Sequence, residues 1–321
     1  MPHAVKAILF DTFGTVVDWR SSLIAELTAF GTTRNITADW TGLVDAWRAN
    51  YAPSMDRVRN GTQPWTKLDD LHRATLDQLV IQFGITGLSD ADLDHLNRGW
   101  HRLTPWPDSI PGLTRLKSRY TIAPLSNGNV ALLLNMAKHA GIPWDMICAA
   151  ELFRHYKPDP ETYLGAATLL GLAPGEVMMA AAHNGDLIAA QACGLKTAFF
   201  PRPTEYGPHQ SRDFAADAPF DIIATDINDL ALQMGCYKRR QGKRFFFEKK
   251  KQKTFIRYAS RPPNRRVRKR SATHHLPPIK PGDRRSQKAL MASPLPTPKP
   301  LSNKVFCRAF FQKSDRFLPL R

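Results

Sequence analysis

The sequence predicts an α/β protein: a doubly wound parallel sheet with a helical insert after the first strand. Three observations carry this expectation. Short apolar runs bounded by turn residues recur as VKAILF (5–10), YTIAPLSN (120–127), VMMAAAH (177–183), KTAFF (196–200) and FDIIATDI (220–227), as buried parallel strands do. Helical stretches alternate with them, namely VALLLNMAKHAGI (130–142), PETYLGAATLLGL (160–172) and DLIAAQACGL (186–195), and that alternation implies right-handed crossovers into one parallel sheet. Residues 19–104 break the rhythm, because LVDAWRANYAPSMDRVRNG, LHRATLDQLVIQFG and DADLDHLNRGWHRL keep apolar positions at helical spacing with no strand between them.

Taken in order, the first strand delivers Asp11 at its carboxyl end, and Gly14 lets the following Phe13-Gly14-Thr15 turn tightly. The helical insert leaves directly after this loop. It reads as a lid over the carboxyl ends of the strands, where ligands of such sheets bind, or as a helical subdomain with only a packing role. The second strand ends in Ser126-Asn127-Gly128-Asn129 and opens a helix, offering a hydroxyl, amides and free backbone N–H groups to an anion. Lys157 in YKPDPETY sits in a turn just before a helix, and Asp186 in AAHNGDL ends the next strand. Gly171 and Gly194 mark helix stops. The expected division is residues 1–18 and 105–235 as the sheet core, 19–104 as the cap and 236–321 as a tail.

Charge separates the tail from the rest. The 321 residues carry 45 Lys+Arg and 28 Asp+Glu, a formal +17. Residues 1–236 hold 19 basic and 25 acidic side chains, whereas residues 237–321 hold 26 and 3, together with 10 of the 25 prolines. The first part is a mildly acidic chain long enough to bury a core. A nucleic-acid binder over the whole chain is therefore excluded as the default. The tail, with RRVRKR (265–270) and SPLPTPKP, reads as a disordered or non-native extension, and nucleic acid is a partner only through it. No run reaches the roughly 18–20 apolar residues that span a bilayer, and the N-terminus lacks a signal-peptide cleavage site. Cys148, Cys193, Cys236 and Cys307 show neither CxxC nor Cys/His ligand spacing. Free thiols in a reducing, cytoplasmic setting are the expectation.

Asp11 followed by a Ser/Asn pair, a Lys and a second Asp at successive strand ends is a chemically specific pattern. A carboxylate nucleophile there needs a nearby cation to stay ionised when desolvated; by itself, Asp11 reads equally well as a turn cap. In this order, FDTFGTVVDW, LSNGN, YKPDPETY and HNGD resemble the haloacid dehalogenase superfamily, and most of all its type II 2-haloacid dehalogenase branch, over about residues 1–235. The resemblance implies a Rossmann-like core with a helical cap over the site, and hydrolysis of short L-2-haloalkanoic acids to 2-hydroxy acids through an ester on Asp11. It also implies that Lys157 and Thr15 hold Asp11, and that Asp186 orients Lys157 or the water. Ser126 and nearby amides would take the substrate carboxylate, Arg48 with Asn127 the halide, and Tyr163 would support the site. Plainer readings stand beside these: Arg48 as a solvated helix charge, Tyr163 as a core tyrosine and Thr15 as a helix cap.

Three positions set the chain apart, one from the superfamily's phosphatases and two from the dehalogenase branch. The superfamily's phosphatases carry an acid two residues after the nucleophile, where this chain has Phe13; a halide leaving group needs no proton, so Phe13 favours dehalogenation. The Ser and Asn that precede the late Asp in the branch are Ala181 and His183 here. His183 reads as a replacement general base suited to neutral pH, or as a structural imidazole, with Asn184 sharing the loop. No cofactor is expected. The phosphatases' Mg²⁺ would draw on Asp11, Phe13 and Asp186, but their further acid is Ala190 or Gln191 here, and Mg²⁺ demands a near-octahedral oxygen set. A Mg²⁺-dependent phosphatase, or another hydrolase using Asp11, is the alternative. The expected partner is a small 2-haloacid, and a homodimer is compatible with the reading.

Overall fold

The computed structural model describes residues 5–237; the readings made for the basic tail fall on residues outside these. The chain enters through β1 (Ala7–Phe10), which lies in the middle of a six-stranded parallel sheet. A two-residue β2 (Val17–Asp18) follows, then five helices: α1 (Trp19–Arg34), α2 (Trp40–Ala49), α3 (Tyr51–Arg59), α4 (Leu68–Gln82) and α5 (Asp90–Asn97). The chain returns through β3 (Thr104–Pro105), which pairs antiparallel with β2 so that Asp18 faces Thr104. The helical insert therefore leaves and re-enters the core through one small ribbon, a feature too short for any sequence periodicity to reveal.

The remaining elements alternate: α6 (Ser109–Lys117), β4 (Thr121–Ser126), α7 (Val130–Ala140), β5 (Cys148–Ala149), α8 (Ala150–Phe153), α9 (Pro160–Leu169), β6 (Val177–Ala181), α10 (Asn184–Ala192), β7 (Lys196–Phe199), β8 (Ile222–Ile223) and α11 (Ile227–Gln233). The sheet order is β5-β4-β1-β6-β7-β8, and Leu9 of β1 stands between Ala123 and Met179. Alternate residues serve opposite faces. Ile8 and Phe10 join one apolar core with Leu113, Leu132 and Leu230, while Leu9 joins the other with Tyr163, Ala166 and Leu187. Helices thus cover both faces, and the sheet is doubly wound. Strand order reverses on either side of β1, which places the crevice for a ligand at the carboxyl ends of β1, β4 and β6.

Three expectations need correction. FDIIATDI forms only the two-residue β8, because the Asp226 side chain accepts the Asp229 N–H and starts α11. The stretch from Leu43 to Gly61 is two helices, broken at Asn50. Pro53 explains the break: it has no N–H to give the Ala49 carbonyl, and its ring would clash there in a continuous helix. Asp186 lies in the first turn of α10 rather than at a strand tip. Among the described residues no helix is long and apolar enough to cross a membrane.

Candidate active site

Asp11 follows β1 directly, and its N–H donates to the Ala180 carbonyl of β6 (3.1 Å). Gly14 adopts φ +85°, in the left-handed region that glycine favours, and the turn brings Thr15 back onto the carboxylate. Thr15 Oγ1 donates to Asp11 Oδ2 (2.7 Å) and accepts the Ala182 N–H (3.0 Å), so it ties β1 to the end of β6 and caps no helix. Lys157 Nζ donates to Asp11 Oδ1 (2.9 Å) and Asp186 Oδ2 (2.5 Å). Its backbone is held by Asn127, whose Oδ1 accepts the Lys157 N–H at 2.7 Å. Tyr163 donates its hydroxyl to Asp186 Oδ1 (2.5 Å) and is wholly buried, so it supports the site from behind Lys157.

On the other side of Asp11, His183 Nδ1 lies 3.1 Å from Oδ2, and His183 Nε2 lies 2.8 Å from Glu205 Oε2. Glu205 Oε1 accepts the Trp19 indole N–H (3.0 Å) and stands 3.9 Å from Arg48 Nη2. The site is therefore a chain of alternating charge, Asp186–Lys157–Asp11–His183–Glu205–Arg48, with three carboxylates and three cationic side chains. Arg48 is no solvated helix charge: its guanidinium packs over the rings of Tyr51 (4.3 Å) and Trp19 (5.2 Å), and its Nη1 is buried with no partner.

The electrostatics follow from this order. Burial pushes the Asp11 carboxyl up, but Lys157, the His183 hydrogen bond and charge, and the Thr15 hydroxyl outweigh it and hold the group well below the usual carboxylate range. Lys157 is raised, its burial overcome by Asp11 and Asp186. Asp186 moves up, through burial and the neighbouring charge of Asp11, against the pull of Lys157. His183 is raised well above an ordinary imidazole: burial alone would lower it, and Glu205 and Asp11 prevail. In the resting site His183 is thus a doubly paired cation, not a free base.

Ser126 ends β4; its hydroxyl oxygen accepts the Gly128 N–H (3.2 Å) and donates to nothing among the described residues, which leaves the proton for a ligand. Asn184 does not reach the site. Its backbone N–H and side-chain amide bind Asp213 Oδ1 (2.9 and 3.0 Å), the amide also binds the Ala215 carbonyl, and its Oδ1 accepts the Asp217 N–H. It fastens the 213–217 segment instead. Phe13 sets its ring edge-on against Tyr51 (6.2 Å) and Trp100 (5.6 Å) of the insert. Trp100 also stacks on His72 at 4.3 Å. Burial pushes His72 down to about 3, so it is a neutral member of this aromatic wall.

Glu205 was not visible in the sequence. It lies in a loop, PRPTEYGPHQ, whose composition says only that the chain turns. Arg202 in the same loop is clamped by two bonds to Asp108 (2.8 Å each) and donates to the Thr15 carbonyl (3.0 Å), which fastens the loop to the nucleophile turn. No motif or spacing marks Glu205, and only the fold brings it to His183.

The sequence profile of the haloacid dehalogenase-like hydrolases matches residues 5–194. The chain belongs to this family. Among solved structures it is similar to an L-2-haloacid dehalogenase, 55% identical, at a TM-score of 0.71 over 73% of this chain and 100% of that one. It is equally similar to a defluorinating L-2-haloacid dehalogenase, 54% identical, at a TM-score of 0.71 over 72% and 95%. The (S)-2-haloacid dehalogenase 4A of Burkholderia cepacia is 28% identical over 219 residues, 64% of this chain and 88% of that protein. Glu205 lies beyond the span that the family profile matches. In this haloacid dehalogenase-like hydrolase the Lys157 ammonium bridges Asp11 and Asp186, and Thr15, His183 and Tyr163 take the other oxygens of the two carboxylates. A divalent ion on the same two groups would have to displace that ammonium, so the donor set does not fit Mg²⁺.

Proposed function

We propose that this enzyme hydrolyses the carbon–halogen bond of short L-2-haloalkanoic acids, giving a 2-hydroxy acid, halide and a proton without a metal. The observation that carries the reading is the buried, ionised Asp11 at the end of β1, with Lys157, Thr15 and His183 on its oxygens. Phe13 stands where an alkoxide leaving group would need an acid. Asp11 attacks Cα of the substrate in line with the carbon–halogen bond, and the electron pair of that bond leaves with the halide. Ser126 receives the substrate carboxylate and Arg48 the halide.

Esterification then changes the charge chain. Asp11 becomes neutral, one of the two carboxylates that hold the His183 proton is lost, and that proton passes to solvent. Neutral His183, oriented through Nε2 by Glu205, accepts a proton from water as the water oxygen adds to the Asp11 carboxyl carbon. Lys157 stabilises the oxyanion that develops on Asp11. The tetrahedral adduct collapses to free Asp11 and a hydroxy acid inverted at Cα, with the second hydrogen of the added water passing to the departing alkoxide oxygen. The helical insert acts as a lid, since Arg48 and the aromatic wall around Phe13 come from it.

The test is halide release from L-2-chloropropionate, bromoacetate and fluoroacetate, run beside phosphate release from p-nitrophenyl phosphate with Mg²⁺. Fluoroacetate is included because one similar enzyme is a defluorinating dehalogenase. Halide release without added metal is expected. Phosphate turnover with no halide from any 2-haloacid would contradict the reading.

A further inference from the structure

We propose that Glu205 is a positioning residue that shares one negative charge between Arg48 and His183, so that halide held at Arg48 and the proton held at His183 are coupled. The proposal rests on the dehalogenase reading for the roles of Arg48 and His183. Its geometry does not: the two oxygens of one buried carboxylate face different partners. Oε1 takes the Trp19 indole N–H at 3.0 Å and lies 3.9 Å from Arg48, and Oε2 faces His183 Nε2 at 2.8 Å. The side chain is 1% exposed. A carboxylate so buried persists only against partners that offset its lost hydration, and these are the partners present.

The seat for this carboxylate is shaped by the nucleophile turn. A Cβ on Gly14 would meet Glu205 Oε1 at 2.1 Å, so any larger residue at position 14 would expel Glu205. Gly14 therefore meets two demands at once, a positive φ and the close approach of a charge. Around His183, the charged groups are Asp11 and Glu205 in direct contact, with Lys157 facing Asp11 and Arg48 facing Glu205. Arg48 carries a counter-charge before any halide arrives, so a departing halide meets a partly neutralised guanidinium and is released rather than trapped. Halide on Arg48 in turn leaves more of the Glu205 charge to His183 and tightens its proton. Halide release thereby frees His183 to lose that proton for the water step, and the coupling is reciprocal.

The test compares wild type with Glu205→Gln, reading bromide binding from saturable quenching of tryptophan fluorescence, since Trp19 lies against Arg48. Arg48→Met identifies the site by abolishing the saturable part. Glu205→Gln is expected to bind bromide about tenfold more tightly, the effect of removing a charge that stands 3.9 Å from the guanidinium holding the bromide in a partly screened site. The acid limb of kcat is expected to move to lower pH, because His183 has lost one of the groups that hold its proton. Should Glu205→Gln fail to fold, Glu205→Asp draws the charge back from Arg48 and tightens bromide to a smaller extent. Bromide affinity unchanged or weakened in the folded variant would overturn the proposal, and a packing role would lower Tm while moving neither bromide affinity nor the pH limb. Absence of halide release by wild type would count against the dehalogenase reading alone, because the bromide comparison needs no turnover.

Discussion

Asp11 carries opposed demands: a nucleophile must be ionised, and burial opposes ionisation by several kcal/mol. Lys157, His183 and Thr15 settle the contest in favour of the charged form. Replacing Lys157 by Met removes the first of these cations, leaving Asp186 without a cationic partner and Asp11 with His183 and Thr15 alone. The expected loss in kcat is at least about 10²-fold, the scale of deleting one preorganised electrostatic partner. The sign of the pH effect follows from Asp11. Its lowered pKa rises without Lys157, the attacking carboxylate is protonated at higher pH, and the acid limb of kcat/KM moves up. A pH–rate profile in which that limb stays in place would contradict the assignment. Asp11, Thr15, Ser126 and Lys157 were legible because each stands in a short motif at a strand end or turn. Asn184 was misjudged because adjacency in sequence says nothing of direction: His183 caps α10 and faces Asp11, while Asn184 begins the helix and faces the 213–217 segment.

At the scale of elements, the insert is fastened to the core by polar contacts that sequence pattern cannot show. Asn129 caps α7 without using its side chain for the cap; the amide donates to Asp69 Oδ2 (2.9 Å) and accepts the Asp69 N–H (3.2 Å) at the start of α4. Asp69 also meets His101 at 3.0 Å, and the Tyr156 hydroxyl donates to the Thr66 carbonyl at 2.6 Å. Asn129→Ala takes one partner each from the N–H and the carboxylate of the half-buried Asp69 and should cost about 1 kcal/mol. Thermal melting should register this as a drop of about 2–4 °C per kcal/mol, with KM rising more than kcat falls as the lid loosens. An unchanged Tm would show that the clasp carries no stability. The core strands and helices were legible from apolar runs and helical spacing, as with the 130–142 stretch that forms Val130–Ala140. The edge strands β5 and β8 escaped or shrank, because two residues have no period to read.

At the scale of the molecule, the parallel sheet and its strand order place every group of the charge chain on loops or a helix start at one edge, except Arg48, which the insert contributes. The fold class could be read from sequence because alternation of strands and helices is a global pattern. The closing of that edge by Glu205 could not, since it depends on a loop reaching back across the sheet to residue 14. The formal +17 is the balance of a net +23 on residues 237–321 and a net −6 on residues 1–236, the part that carries the site. The central claim, that Asp11 itself bonds to the substrate, has a direct test in a single turnover with enzyme in excess in heavy-oxygen water. The predicted result is one heavy oxygen in the peptide containing Asp11 and an unlabelled hydroxyl in the first 2-hydroxy acid formed. Heavy oxygen in that first product, with Asp11 unlabelled, would mean that water displaces the halide directly and would contradict the account.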